Sequence, residues 1–180
     1  MATLPTNRLE HIGINAFDLE KMVKFYCDVF GYAVSDSGAR FNGQKIVFMT
    51  KSPDEHHQFV IAEGRAPGSE NHITNQISFN FGSIDELRTA YERYSELGLG
   101  DIFQVNHGNA LSLYVKDPEG NTLELFADTP WHTPQPARAE LDITKPTDVL
   151  LAETEAFCRS RPGFAARADW SADLAKRIGA

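Results

Sequence analysis

The chain has 180 residues with a formal net charge of -8 and ordinary apolar and aromatic content, which suits one domain with a sizeable core and is too short for a second full one. Without a Lys or Arg block it lacks the basic footprint of nucleic-acid or anionic-membrane binding, and no run approaches the roughly 20 apolar residues of a membrane span. Two cysteines, Cys27 and Cys158, exclude a disulfide framework, and with no signal-like N-terminus the expected location is cytoplasmic.

Leu9 to Asn15 alternates as a strand. Asp18 then offers a helix cap before Leu19, Met22, Val23, Tyr26 and Phe30, which recur at helical spacing up to Gly31. Cys27 lies inside that helix and is read as a buried, inert thiol. Tyr32 to Val34, Gln44 to Thr50 and His57 to Ala62 read as short strands, split by turn-rich pieces around Ser35 to Gly38, Asn42-Gly43 and Lys51 to Asp54. After a linker, Gly64 to Asn75, the order repeats. Gln76 to Phe81 is a strand, and Ser83 to Glu86 is a capping box opening a helix with Leu87, Tyr91, Tyr94 and Leu97 on one stripe. Strands follow at Ile102 to Asn106, Ala110 to Lys116 and Asn121 to Ala127, with Asp117-Pro-Glu-Gly-Asn121 as a tight turn. From Thr129 the prolines predict an extended arm outside any sheet, then a helix over Thr147 to Arg159 burying Val149, Leu150, Ala152 and Phe157, and a short helix over Trp170 to Ile178.

The fold class is therefore α+β, two βαβββ units (about 9–63 and 76–128) forming one domain over residues 1–128, followed by an arm and helical tail over 129–180 that packs on the domain or on a partner subunit. His11 stands before Tyr26 at the same interval as Gln76 before Tyr91, and matching Gly31 to Gly98 sets His57 against Glu124. An internal repeat brings chain-distant ligands around one axis. Glu124, flanked by apolar residues mid-strand, reads as a buried carboxylate in need of a cation or a tight set of donors.

His11, the doublet His56-His57 before an apolar strand, His107-Gly108-Asn109 leading through Tyr114 to Asp117-Pro-Glu-Gly120, and Glu124 ten residues after Tyr114 together resemble the vicinal oxygen chelate superfamily, and within it the single-domain type I extradiol catechol dioxygenases. The resemblance covers about Leu9 to Asp128. It implies paired units cupping a divalent metal, Fe(II) first with Mn, Zn or Ni as alternatives, held by His11, Gln76 and Glu124. Gln76 stands where those dioxygenases carry a second histidine, and glyoxalase-like members do use Gln there. His72 is the rival ligand, four residues earlier. A small aromatic diol and dioxygen are the implied partners, and a homodimer or higher homo-oligomer is expected.

His57 keeps two readings: acid/base beside the metal by the resemblance, or fourth ligand by the repeat. His56 is expected to point the opposite way along its strand. His107 and Tyr114, with Asn109 sharing their face, are implied to hydrogen-bond the diol oxygens. Trp131 and His132 can cap the site mouth or anchor the arm. The rival functions are a non-redox glyoxalase-like isomerase or lyase and, further off, a metal-free small-molecule binding protein. Ligand-type residues at the inward positions argue against the latter.

Overall fold

A computed structural model describes residues 10–40, 42–66, 68 and 74–178. The expected start of the first strand at Leu9 and the rival ligand His72 lie outside the described residues. The chain divides into two compact units, residues 1–73 with 117–120, and residues 74–116 with 121–180.

In the first unit β1 (Ile12–Ala16), α1 (Leu19–Phe30), β2 (Ala33–Ala39), β3 (Lys45–Thr50) and β4 (Phe59–Glu63) build a four-stranded sheet in the order β1-β4-β3-β2. β1 and β4 are parallel, the other pairs antiparallel. The Asp18 side chain accepts from the Lys21 N–H at 3.0 Å to start α1, satisfying one orphan donor of the first turn. Leu19, Met22, Phe25, Tyr26 and Phe30 form its buried face, so Phe25 joins the expected stripe. Ser35 to Gly38, read as a turn, is strand instead. β2 is fully exposed, pairs among the described strands with β3 alone and carries a register shift between Val34 and Asp36. An edge strand of this kind needs no apolar alternation, so its sequence resembles a loop.

The turn Asp117–Gly120 belongs with this unit. Gly120 N–H donates to Asp117 O at 2.9 Å. Inside the core the Tyr26 hydroxyl donates to Asp117 Oδ2 at 3.1 Å, and burial first, then the Asp117 charge, raises the phenol far above its usual range. Glu119 accepts the N–H groups of Asp18 at 2.7 Å and Phe17 at 3.0 Å and pairs with Arg65 at 3.2 Å. The carboxylate thus sits at the positive end of α1.

The second unit repeats the topology. β5 (Ile77–Asn80), α2 (Ile84–Leu97), β6 (Phe103–Asn106), β7 (Ala110–Lys116) and β8 (Thr122–Asp128) give a sheet in the order β5-β8-β7-β6. Ser83 caps α2 through the Glu86 N–H, and Gly98 ends it in a left-handed conformation, as Gly31 ends α1. Ile84, Leu87 and Tyr94 are its buried residues, while Leu97 is exposed.

Two expectations for the tail are corrected. Trp131–His132 (β9) is not free arm: it pairs with Ala165–Ala166 (β10), a ribbon short enough to fit between Pro130 and Pro134 without placing a proline in its ladder. In α3 (Thr147–Arg159) the buried residues are Leu150, Thr154 and Cys158, whereas Val149 and Ala152 face outward. A polar contact chose that face, because the buried Asn106 amide donates to Thr154 Oγ1 at 2.8 Å. Asn106 also exchanges backbone hydrogen bonds with Ala139, and Arg88 of α2 donates to Ile143 O, Lys145 O and Thr147 Oγ1, each at 2.9 Å. The last helix, α4, spans Arg167–Ile178 and starts ahead of the expected Trp170. No described helix is long and apolar enough to cross a membrane.

Candidate active site

Glu124 lies mid-strand in β8, with Ser78 of β5 and Tyr114 of β7 as its direct cross-strand partners. Cross-strand neighbours share a face, so three polar side chains from three strands meet. Ser78 Oγ donates to Glu124 Oε2 at 2.6 Å, and the Tyr114 hydroxyl donates to Oε1 at 2.9 Å. Gln76, one residue before β5, donates through Nε2 to Oε2 at 2.6 Å. The opposite face of β8 carries the buried Leu123, Leu125 and Ala127, and Glu124 itself is half-buried. The expectation of a buried Glu124, drawn from its apolar neighbours, is thus corrected: simple alternation puts Glu124 on the open, half-buried side.

His107 closes the turn between β6 and β7, its N–H donating to Ala110 O at 2.9 Å. Gly108 holds this turn at φ 80, where a Cβ would meet Thr133 Cγ2 at 2.5 Å and Cys158 Sγ at 2.8 Å. Only glycine fits there. The His107 ring spans two acceptors, Nδ1 lying 2.8 Å from Ala137 O and Nε2 3.0 Å from the Tyr114 oxygen. The Tyr114 proton goes to Glu124. Diverting Glu124 to a cation would release the tyrosine proton toward His107 or a ligand. Loss of solvation first, then its bond to Glu124, raises the Tyr114 phenol well above its usual range. Asn109 Oδ1 accepts from Gln135 Nε2 at 2.8 Å.

His107, Asn109, Tyr114 and Glu124 line a cavity of about 360 Å³, whose other walls come from Phe126, Asp128 and the tail. Arg167 and Trp170 belong to this wall and were not anticipated from the sequence. Lying outside the repeat, they carry no spacing signal, and their one hint is that Trp131 and Trp170 are the chain's two tryptophans.

In the first unit His11 and His57 each precede their strand, β1 and β4, rather than lying within it. Their rings are 4.3 Å apart between centroids. His56 does not point away from His57 as strand alternation would require. The doublet precedes the strand, and the two Nδ1 atoms are 2.8 Å apart. Phe48 packs edge-on against His57 at 5.0 Å. Loss of solvation, followed by the neighbouring His11 and His56, lowers the His57 pKa below its usual value, which favours the neutral ring. The sheet registers also bear on the repeat. Ile12 pairs with Phe59 where Ile77 pairs with Leu123, so the counterpart of Glu124 is Val60, not His57. The repeat therefore gives His57 no claim to a fourth ligand place.

Among the described residues no group of three His, Cys, Asp or Glu side chains is placed to hold a metal ion. A cation at Glu124 would draw on the Gln76 amide. A half-turn of that amide puts Oε1 where Nε2 now stands, beside a carboxylate oxygen. Two oxygens at that separation repel unless a cation lies between them. Carboxylate and amide oxygens are hard donors of the kind that suit a divalent cation.

The model of the Glyoxalase/Bleomycin resistance protein/Dioxygenase superfamily matches residues 8–125. Biphenyl-2,3-diol 1,2-dioxygenase 2 of Rhodococcus globerulus is 27% identical over 143 residues, covering 76% of this chain and 70% of that protein. Catechol-2,3-dioxygenase of Bacillus subtilis (strain 168) is 29% identical over 133 residues, covering 68% of this chain, and the match spans 43% of that enzyme's length. Among solved structures, the genomically encoded fosfomycin resistance protein FosX of Listeria monocytogenes, complexed with Mn(II) and sulfate, is 25% identical with a TM-score of 0.55, over 69% of this chain and 94% of that one.

Proposed function

Because the chain belongs to the Glyoxalase/Bleomycin resistance protein/Dioxygenase superfamily, we propose that it is an extradiol ring-cleaving dioxygenase acting on a catechol-like aromatic diol. We propose His11, Gln76 and Glu124 as ligands to a divalent metal, Fe(II), and His57, His107, Tyr114 and Asn109 as the residues that work on the substrate. The observation that carries this reading is the hydrogen-bonded line from His107 through Tyr114 to Glu124. It sets a proton-holding pair directly beside the proposed ligand carboxylate, where a diol would shed its protons.

When bound, the metal supplies a path for electrons from diol to dioxygen. Tyr114 and His107 donate to the diol oxygens and stabilise the phenolate charge as it develops. The Asn109 side chain, tied to Gln135, lines the same cavity and orients the ring. His57, kept neutral by its surroundings, takes a proton and later returns it. The ring carbon–carbon bond next to the diol breaks, and both atoms of dioxygen enter the product. The diol carbon becomes a carboxylic acid and its neighbour an aldehyde or ketone. The substrate's four electrons reduce the dioxygen, so no external reductant is consumed.

The amide at Gln76 favours a second reading, metal-assisted non-redox chemistry, because a neutral oxygen donor suits Mn or Zn at least as well as iron. Metal analysis of protein purified without air, followed by oxygen uptake on a panel of catechols, separates the two. Iron-dependent uptake matched by ring-opened product supports the dioxygenase. Stoichiometric metal with no uptake from any diol refutes it.

A further inference from the structure

Gln135 stands outside every named helix and strand, yet both ends of its amide are engaged beside the candidate site. Nε2 lies 2.8 Å from His107 O, 2.8 Å from Asn109 Oδ1 and 3.2 Å from Thr133 O, and Oε1 accepts from the Ala137 N–H at 2.9 Å. Backbone carbonyls only accept and a backbone N–H only donates, so His107, Thr133 and Ala137 fix which end of the Gln135 amide is nitrogen. Its NH2 then dictates that Asn109 turns Oδ1 toward it. That leaves Asn109 Nδ2, a donor only, for a molecule in the cavity that Asn109 lines.

The other end of Gln135 acts through Ala137, which is buried. Gln135 holds the Ala137 N–H, and the Ala137 carbonyl lies 2.8 Å from His107 Nδ1. A carbonyl oxygen carries no proton, so the proton in this contact belongs to Nδ1. Nε2, 3.0 Å from the Tyr114 oxygen, is the nitrogen left to accept a proton or hand one on, because the bond made by one ring nitrogen sets the state of the other. On its far side Ala137 is secured by the two backbone bonds between Ala139 and Asn106, at 2.8 and 3.1 Å. On its near side Arg161 donates to Pro136 O at 3.2 Å, and Gln135 ties the arm to the turn that carries His107 and Asn109.

We propose that Gln135 is a positioning residue that sets the hydrogen-bond polarity of the site: through Ala137 it holds His107 as the Nδ1–H tautomer, and through Asn109 it keeps an amide NH2 free for a ligand. A ligand there meets a proton-exchanging Nε2 and a fixed donor. That this ligand is a diol rests on the reading above. Gln135 itself touches no reacting atom in this scheme and works through two other side chains.

The test reads the His107 ring directly. Full-length 15N-labelled protein, loaded with diamagnetic Zn(II), is examined by long-range 1H–15N NMR, with His107→Ala identifying the ring signals. The parent is expected to carry the proton on Nδ1, and Gln135→Ala to lose that single state, both ring nitrogens shifting toward the average of the two tautomers. Gln135→Glu keeps an acceptor for Ala137 but turns an oxygen toward Asn109, so it should retain the parent tautomer. A parent ring protonated on Nε2 alone, or a Gln135→Ala ring identical to the parent's, overturns the proposal. If Gln135→Ala fails to fold by circular dichroism, the parent and Gln135→Glu carry the test, and loss of the Nδ1–H state in Gln135→Glu overturns the route through Ala137.

Oxygen uptake by the Fe(II)-loaded proteins on catechol adds a second split. Gln135→Ala should lower kcat by ~10-fold, whereas Gln135→Glu, which spares His107 and inverts Asn109, should act mainly on KM, raising it by ~10-fold. Equal losses of kcat in both variants mark Gln135 as merely structural and overturn its positioning role. The expected tautomers with no uptake from any diol remove the dioxygenase and keep the positioning role. Uptake from catechol with a His107 ring indifferent to Gln135 does the reverse.

Discussion

Replacing Tyr114 by Phe removes one oxygen and nothing else from the candidate site. The lost group donates to Glu124 Oε1 at 2.9 Å and meets His107 Nε2 at 3.0 Å. A hydrogen bond to a charged acceptor contributes about 1.5–3 kcal/mol, and because Tyr114 and Glu124 are both half-buried solvent screening reduces this to about 1 kcal/mol. For a chain of this size that is a fall in Tm of about 2–4 °C, measurable by calorimetry. Tyr114→Phe leaves all three proposed ligands, His11, Gln76 and Glu124, in the chain, so metal content should not change. Turnover should: losing a preorganised donor to the developing phenolate predicts a kcat fall of ~10²-fold with a smaller change in KM. His107→Ala should cost less in the Tyr114→Phe background than in the parent, since the two residues act as one line. A kcat within twofold of the parent, with the expected Tm shift, would refute the reasoning and leave Tyr114 as cavity wall.

Glu124→Ala should abolish metal retention, because the remaining proposed ligands are neutral and cannot balance a dication; full metal content by elemental analysis would place the site elsewhere. His57→Ala should keep its metal yet turn over more slowly by ~10²- to 10⁴-fold, the usual contribution of a positioned proton-transfer group, whereas depleted metal would make His57 a ligand after all. Away from the site, Thr147 and Arg88 donate to Asp85, each at 2.6 Å, and hold its carboxyl below the usual range. A lowered folded pKa gives stability that is fully present above the unfolded value of about 3.9 and lost as pH falls through the folded one. Asp85→Asn should therefore flatten the fall of Tm below about pH 4, and identical acid slopes in the two proteins would show that this contact contributes nothing.

Local signals settled much of this protein in advance. Asp18 and Ser83 as caps, the apolar stripes behind them, and Gly31 and Gly98 in left-handed conformations mark two helices, because caps and periodicity act within a few residues. The repeated strand order followed from the same reasoning, and β7 and α3 run over the residues their patterns indicated. Tertiary structure decided the rest. β2 is strand because β3 pairs with it, although its own composition reads as a turn. The register of β4 set Val60, not His57, at the counterpart of Glu124, since one-dimensional offsets cannot count the residues that turns absorb. The face that α3 buries was chosen by Asn106 across 48 residues of chain. The same holds for Arg167 and Trp170, which reach the Glu124 cavity because β9 and β10 pair and bring α4 back to it. Such contacts depend on distances closed only after the strands and helices have packed, and no periodicity in the chain encodes them.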